Sequence, residues 1–299
     1  MALKNFNEII HLVKQFPVRK KCGVVAADEH SIEAAIEAEK EGLADPIFIG
    51  NKEEISRILQ KMGALKSYPI VESTDAADAA EKGVALAREG EVDFLLKGHI
   101  DTSVLLRAVV NKDKGLGTGR LMTHFVFNEI PTYHKLLVTT DGGMVTYPDV
   151  DGKQKIIENT VEVLHKLGYE NPKIACLAAI EKLNPKMPET VDAEELKRRN
   201  QQGIITGCIV EGPISFDLAY DSNTAVLKDY NSPVAGDADV LLVPNITAGN
   251  ILGKSLVYAA GGRMAGFIVG AKCPIILTSR SSTADEKFLS IALSALFNA

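Results

Sequence analysis

Short apolar runs alternate with longer amphipathic stretches through the first third of the chain, a rhythm that predicts strands separated by helices. Residues 21–27 read as a strand, and residues 31–41 as a helix opened by a capping residue. The next strand is predicted over 46–50, a helix over 52–62, and a short strand over 68–72. The alanine-rich stretch 75–89 is a strong helix former; a strand over 92–97 and a helix over 102–111 follow it. Strands and helices in this alternation build βαβ units, so the expected class is α/β with a mostly parallel sheet.

Beyond residue 116 the pattern loosens. A glycine-rich break, Gly115-Leu116-Gly117-Thr118-Gly119, precedes an apolar run over 121–128. Strands are expected at 136–140 and 173–179 around a helix over 155–167, and a polar helix follows at 192–202. A strand over 239–244 leads through Asn245 into another helix. Apolar runs at 265–269 and 274–278 come before a last helix over 285–297. At 299 residues the chain is long for one core, and two lobes are the better expectation.

Composition narrows the possibilities. With 46% apolar and 24% charged residues the chain reads as globular, and no apolar run is long enough to cross a membrane. The N-terminus lacks a basic segment followed by an apolar stretch, which points to a cytoplasmic protein. A net charge of −6 argues against a nucleic-acid surface but leaves room for a local basic pocket. Cys22, Cys176, Cys208 and Cys273 show no metal-ligand spacing and sit in apolar runs, so they are expected to fill the core. No metal site is expected.

Two segments could carry chemistry. In Lys97-Gly98-His99-Ile100-Asp101-Thr102-Ser103, a strand gives way to a helix, exposing backbone N–H groups suited to a phosphate. Arg107 follows four to five residues later with a guanidinium able to grip phosphate oxygens. Simple helix capping by Asp101 or Thr102 explains the same residues. In the second segment, Thr278-Ser279-Arg280-Ser281-Ser282-Thr283-Ala284-Asp285-Glu286, an apolar strand runs into hydroxyls, a cation and two carboxylates. A cap at Ser282 or Thr283 accounts for the hydroxyls and acids. It leaves Arg280 unexplained, because a cation before a helix N-terminus opposes the dipole. Asn245, Gly249 and Asn250 lie where strand meets helix and allow close backbone approach to a ligand. Thr139-Thr140-Asp141-Gly142-Gly143 reads as a turn, and His99 and His124 stand alone in sequence. Signatures of P-loop kinases, dinucleotide folds, serine hydrolases and zinc proteases are absent.

Taken together, KGHIDTSVLLRAV, PNITAGNILGKSLVY and PIILTSRSSTADEKFLSIAL, with GLADPIFIG near the start, resemble the phosphate acetyl/butyryl transferases in order and spacing. The ILTSR segment and the SIAL helix are more similar to the butyryl branch. This resemblance implies an isocitrate/isopropylmalate dehydrogenase-like fold of two α/β lobes with a cleft between them. The first lobe would take residues 1–118 plus 270–299, and the second, with oligomer contacts, residues 119–269. It implies acyl-CoA, phosphate and acyl phosphate as substrates, coenzyme A included, with no bound cofactor. A homodimer or larger homo-oligomer is also implied. Thr102, Ser103 and Arg107 would hold the phosphoryl group beside Lys97, Gly98 and His99. Ser279 and Arg280 would stabilise the oxyanion, and Asp285 or Glu286 would deprotonate the thiol. Two departures stand out: Glu286 occupies the place expected for an aspartate, and Gly253 replaces a tyrosine. Two other readings compete. One is a metal- and NAD-dependent decarboxylating dehydrogenase using Asp217, Asp221 and Asp237; the other is a non-catalytic CoA- or phosphate-binding protein.

Overall fold

The computed structural model describes residues 2–64, 66–279 and 282–298. In chain order its elements begin with α1 (Phe6–Val13), β1 (Lys20–Val25), α2 (Glu29–Lys40), β2 (Ala44–Gly50) and α3 (Lys52–Lys61). Then come β3 (Ile70–Glu72), α4 (Ala76–Arg88), β4 (Phe94–Lys97), α5 (Thr102–Val109), β5 (Thr123–Glu129) and β6 (Leu137–Thr140). The middle of the chain supplies α6 (Val150–Lys166), β7 (Lys173–Leu177), α7 (Pro188–Gln201), β8 (Ile209–Ile214), α8 (Phe216–Tyr220) and α9 (Ser222–Leu227). The last elements are β9 (Val240–Leu242), α10 (Ile246–Tyr258), β10 (Arg263–Val269), β11 (Ile275–Ile276) and α11 (Ala284–Phe297).

Two compact units emerge. One comprises Asn7–Arg120 and Ala265–Ala299, the other Met1–Phe6 and Leu121–Met264. In the first, the strand order is β3-β2-β1-β4-β11-β10, all parallel except β10, which runs antiparallel to β11. Val24, Val25, Phe94, Leu95, Leu96, Ile275 and Ile276 are buried, the near-continuous apolar reading of a parallel sheet covered on both faces. Its helices start where the sequence supplies side-chain caps: Asp28 for α2, Asn51 for α3, Asp75 for α4 and Thr283 for α11. Asp28 and Ser31 form a reciprocal capping box.

The second unit orders its strands β5-β6-β9-β7-β8, with only the β5–β6 pair antiparallel. Residues 1–6, placed with the first lobe from sequence, belong here instead. The Tyr169 hydroxyl accepts from Leu3 N at 3.0 Å, Leu3 O accepts from Leu136 N at 2.9 Å, and Glu129 accepts from Phe6 N at 2.6 Å. Helix α6 starts five residues earlier than the apolar pattern predicts, because the Asp149 side chain accepts from Gly152 N. Helix α7 starts at Pro188 rather than 192, since proline suits the first helical position, where no N–H is needed. All four cysteines are buried free thiols, and burial pushes Cys208 and Cys273 up to about 12, which leaves them poor nucleophiles.

Candidate active site

In the first unit, β1, β4 and β11 end side by side, with Lys97 in register with Val25 and Leu96 with Ile276. Ligands in parallel α/β sheets bind at these carboxyl ends. Beyond β4 the backbone presses against the end of β1: Gly98 N donates to Val25 O and His99 N to Ala26 O, both at 2.8 Å. A Cβ on Gly98 would stand 2.2 Å from Ala26 O, so only glycine fits.

Around this junction lies a cavity of about 380 Å³, lined by Lys97, Gly98, His99, Asp101, Ser279 and Lys287 among others. Lys97 is only 5% exposed, and its Nζ donates to Gly98 O at 3.3 Å. Thr278 is buried beside Ser279, which is exposed. Asp28 and His30 reach the cavity from the start of α2. Asp101 occupies the cap position of α5 but makes no side-chain cap bond, so no carboxylate closes off that helix N-terminus. Thr283 does cap α11, accepting from Glu286 N at 3.1 Å.

The structure thus brings Lys97, Gly98, His99 and Ser279 to one cavity. Thr102 and Ser103 are exposed in the first turn of α5, directly after Asp101. Arg107 faces a different hollow, of about 640 Å³, together with Lys82, Arg88 and Lys114; Val104 lines both. Arg280 lies outside the described residues. Asp285 is exposed, whereas Glu286 is half-buried, and burial pushes its carboxyl above the ordinary range. Asp28 and Lys287 were missed in the sequence, and Thr278 was read only as part of the segment that leads into Ser279. Asp28 was hidden by its role as a cap, while a lysine in the first turn of a helix, against the dipole, was the signal available for Lys287.

Asn245, Gly249 and Asn250 belong to the second unit. Asn245 caps α10 by accepting from Ala248 N, and Gly249 is buried against Gly142, where a Cβ would meet Gly142 Cα at 2.7 Å. The segment read as a plain turn is a buried polar knot. Asp141, 2% exposed, accepts from His124 N at 2.7 Å, Gly143 N at 2.9 Å and Met144 N at 2.7 Å. Burial lowers the pKa of the neighbouring His124, against the pull of Asp141. Replacing Asp141 with Ala strands three backbone donors, and a loss of about 3 kcal/mol is expected from typical costs of unsatisfied groups. A urea titration showing less than about 1 kcal/mol of loss would contradict this.

The aspartates of the dehydrogenase reading are engaged separately. Asp217 pairs with Lys228, Asp221 caps α9, and Asp237 binds His134, Lys135 and Lys173. Among the described residues no group of three or more His, Cys, Asp or Glu side chains is placed to hold a metal ion.

The profile of the phosphate acetyl/butaryl transferase family matches residues 65–295, more than half of the chain. The chain belongs to this family. Its relatives within the family include a phosphate butyryltransferase of Clostridium acetobutylicum, 41% identical over 295 residues and covering 98% of each chain. A phosphate acetyltransferase of Thermotoga maritima is 41% identical over 279 residues, 93% of this chain and 95% of its own. In structure, the chain matches a branched-chain phosphotransacylase from Enterococcus faecalis V583 with a TM-score of 0.84 at 32% identity. That match spans 93% of this chain and 99% of the other. Family membership makes the chain a transferase, and the α/β fold with its largely parallel strands agrees with that of the structural relative.

Proposed function

We infer that this chain exchanges a short-chain acyl group reversibly between coenzyme A and phosphate: butyryl-CoA plus phosphate to butyryl phosphate plus CoA. The observation that carries the reading is the cavity at the ends of β4 and β11, lined by Ser279 and a buried lysine beside a helix N-terminus without a side-chain cap. In the direction of CoA acylation, the thiolate attacks the carbonyl carbon of the acyl phosphate. A tetrahedral oxyanion forms, and its collapse expels phosphate with the electrons of the C–O bond. Lys97, with Thr102 and Ser103 at the first turn of α5, is assigned to the phosphoryl oxygens, where cations and helix N–H groups attract anions. Ser279 and Arg280 are assigned to the oxyanion, where hydrogen-bond donors act most strongly as charge develops. Arg107 faces the neighbouring hollow and is left out of the grip. Coenzyme A enters as substrate, and no resident cofactor is proposed.

A CoA thiol is only a few per cent ionised at neutrality, so a base near it accelerates attack. Between the two carboxylates we assign this role to Glu286, whose burial raises its affinity for a proton. Glu286→Gln is expected to lower kcat roughly tenfold at neutral pH, a loss limited by the thiolate already present. Asp285→Asn should leave kcat unchanged. With Glu286 present, the rate falls as pH drops through its raised pKa; the Gln variant loses that limb of the profile. The linked stability runs the other way. The folded state holds this proton more tightly, so the stabilisation is complete below the unfolded pKa and vanishes as pH rises through the folded one. Equal pH–rate profiles for the two proteins would rule out Glu286.

The longer acyl chain is taken from the similarity to the phosphate butyryltransferase of Clostridium acetobutylicum. Thiol release from acetyl-, butyryl- and isobutyryl-CoA, with and without phosphate, tests the whole reading. Faster phosphate-dependent release from butyryl- or isobutyryl-CoA is expected; no phosphate-dependent release from any of them would end it. Among the described residues no helix is long and apolar enough to cross a membrane. We place the protein in the cytoplasm as a homodimer or larger oligomer, supported by the exposed Ile251 and Tyr258 seven residues apart on α10. A monomer mass by light scattering would overturn the oligomer.

A further inference from the structure

Lys287 is a cation in an unfavourable place by local rules. It sits in the first turn of α11, where a positive charge opposes the helix dipole, and it is only 5% exposed. Its Nζ donates to Ser282 O at 3.0 Å, which satisfies one of three donors. Among the described residues no carboxylate lies within ion-pair distance of it. The charge of Glu286, its neighbour in the chain, offsets part of the cost of burying the ammonium, and the remaining donors of the ammonium suit an anion that enters the cavity.

The side chain lines the same cavity as Lys97, Thr278 and Ser279. Two buried lysines therefore reach one space, from α11 and from the end of β4. Asp28 is committed to Ser31, accepting from its N at 3.0 Å and from its hydroxyl. Asp101 stands at the exposed entrance to α5, and His30 and His99 are exposed as well. Glu286, next to Lys287 in the chain, has its pKa raised by burial while Ser282 and Lys287 pull it the other way. The space suits a small polyanion with several oxygens.

We propose that Lys287 is a phosphate-binding residue of this enzyme, its ammonium donating to non-bridging oxygens of inorganic phosphate or of the acyl phosphate. The proposal rests on the acyl-exchange reading and adds a second lysine to the phosphate grip. A contact made equally in the ground state and the transition state changes KM for phosphate and leaves kcat nearly untouched. A purely structural role, holding Ser282 through its carbonyl, would instead degrade catalysis with either substrate.

Steady-state kinetics of Lys287→Met and Lys287→Arg separate these roles, with phosphate and butyryl-CoA varied in turn. KM for phosphate is expected to rise about tenfold or more in the Met variant, the usual weight of a hydrogen bond to a charged group. KM for butyryl-CoA should stay within about twofold, and Arg should restore most of the loss because it keeps the charge. An unchanged KM for phosphate overturns the proposal. So does an equal fall in kcat/KM for both substrates that Arg does not rescue. Inorganic phosphate alone should also raise the melting temperature of the parent and the Arg variant, but not of the Met variant. If the parent shows no turnover, the exchange reading falls, and this melting experiment alone decides Lys287: equal stabilisation of all three proteins overturns it. Should the Met variant not fold, Lys287→Gln takes its place in both measurements, with the same outcomes.

Discussion

Gly98→Ala is expected to reduce phosphate-dependent CoA release to below about one-hundredth of the parent rate, the scale of loss when reacting groups shift by about an ångström. The added methyl would stand 2.2 Å from Ala26 O and 2.9 Å from both Ala26 C and Val25 O. All three are backbone atoms, so no side chain can swing aside to make room. The strand ends must part, breaking the bonds from Gly98 N to Val25 O and from His99 N to Ala26 O. Lys97 and His99, which flank the glycine, move with the backbone. Overpacking of this kind also destabilises by about 1–3 kcal/mol, so the variant should melt earlier while still folding. Circular dichroism at the assay temperature separates the two effects: a folded variant with parent-like turnover would show that the junction does not position the site.

The second large effect is expected at Arg280. Removing an oxyanion donor commonly costs a hundred- to a thousandfold in kcat, and Arg280→Ala is expected to fall in about that range. Thr278 and Ser279 line the cavity, and α11 begins at Ala284 with a satisfied cap, so a cation here has no local helix role. Arg280→Lys should recover only part of the rate, because a single ammonium cannot reproduce the planar fork. Turnover within about threefold of the parent in the Ala variant would remove Arg280 from the oxyanion, since a hydrogen bond to a charged group is worth about 1.5–3 kcal/mol.

The alternation in residues 21–111 was readable because parallel strands buried on both faces give unbroken apolar runs. Its helices also carry their own caps at Asp28, Asn51 and Asp75. Helix α1 escaped notice although Phe6, Ile9 and Val13 mark a buried stripe; at 8 residues it gains its order from packing. The short α8 and α9 were missed for the same reason. At the site, Lys97, Gly98, His99 and Ser279 were legible as residues at the ends of strands. Spacing alone could not say which of two hollows beside α5 receives Arg107. Nor could it show that Asp141 gathers three backbone N–H groups, since Asp-Gly-Gly is also the composition of an exposed turn.

The way the first unit is stitched together has a consequence for the order of events during synthesis. In its sheet, β11 lies between β4 and β10, so the strand neighbouring β4 is made about 180 residues after it. On the ribosome, β1 to β4 emerge with one flank unpaired and must wait while the whole 121–264 unit is translated. That later unit has nearly all of its chain available first, and it can reach its fold while the earlier one is still open. Ser279 joins Lys97 only after β11 and the residues that follow it have left the exit tunnel. The nascent chain is therefore catalytically silent until β11 has emerged, and a ribosome stalled short of residue 275 would hold a half-sheet with an adhesive edge.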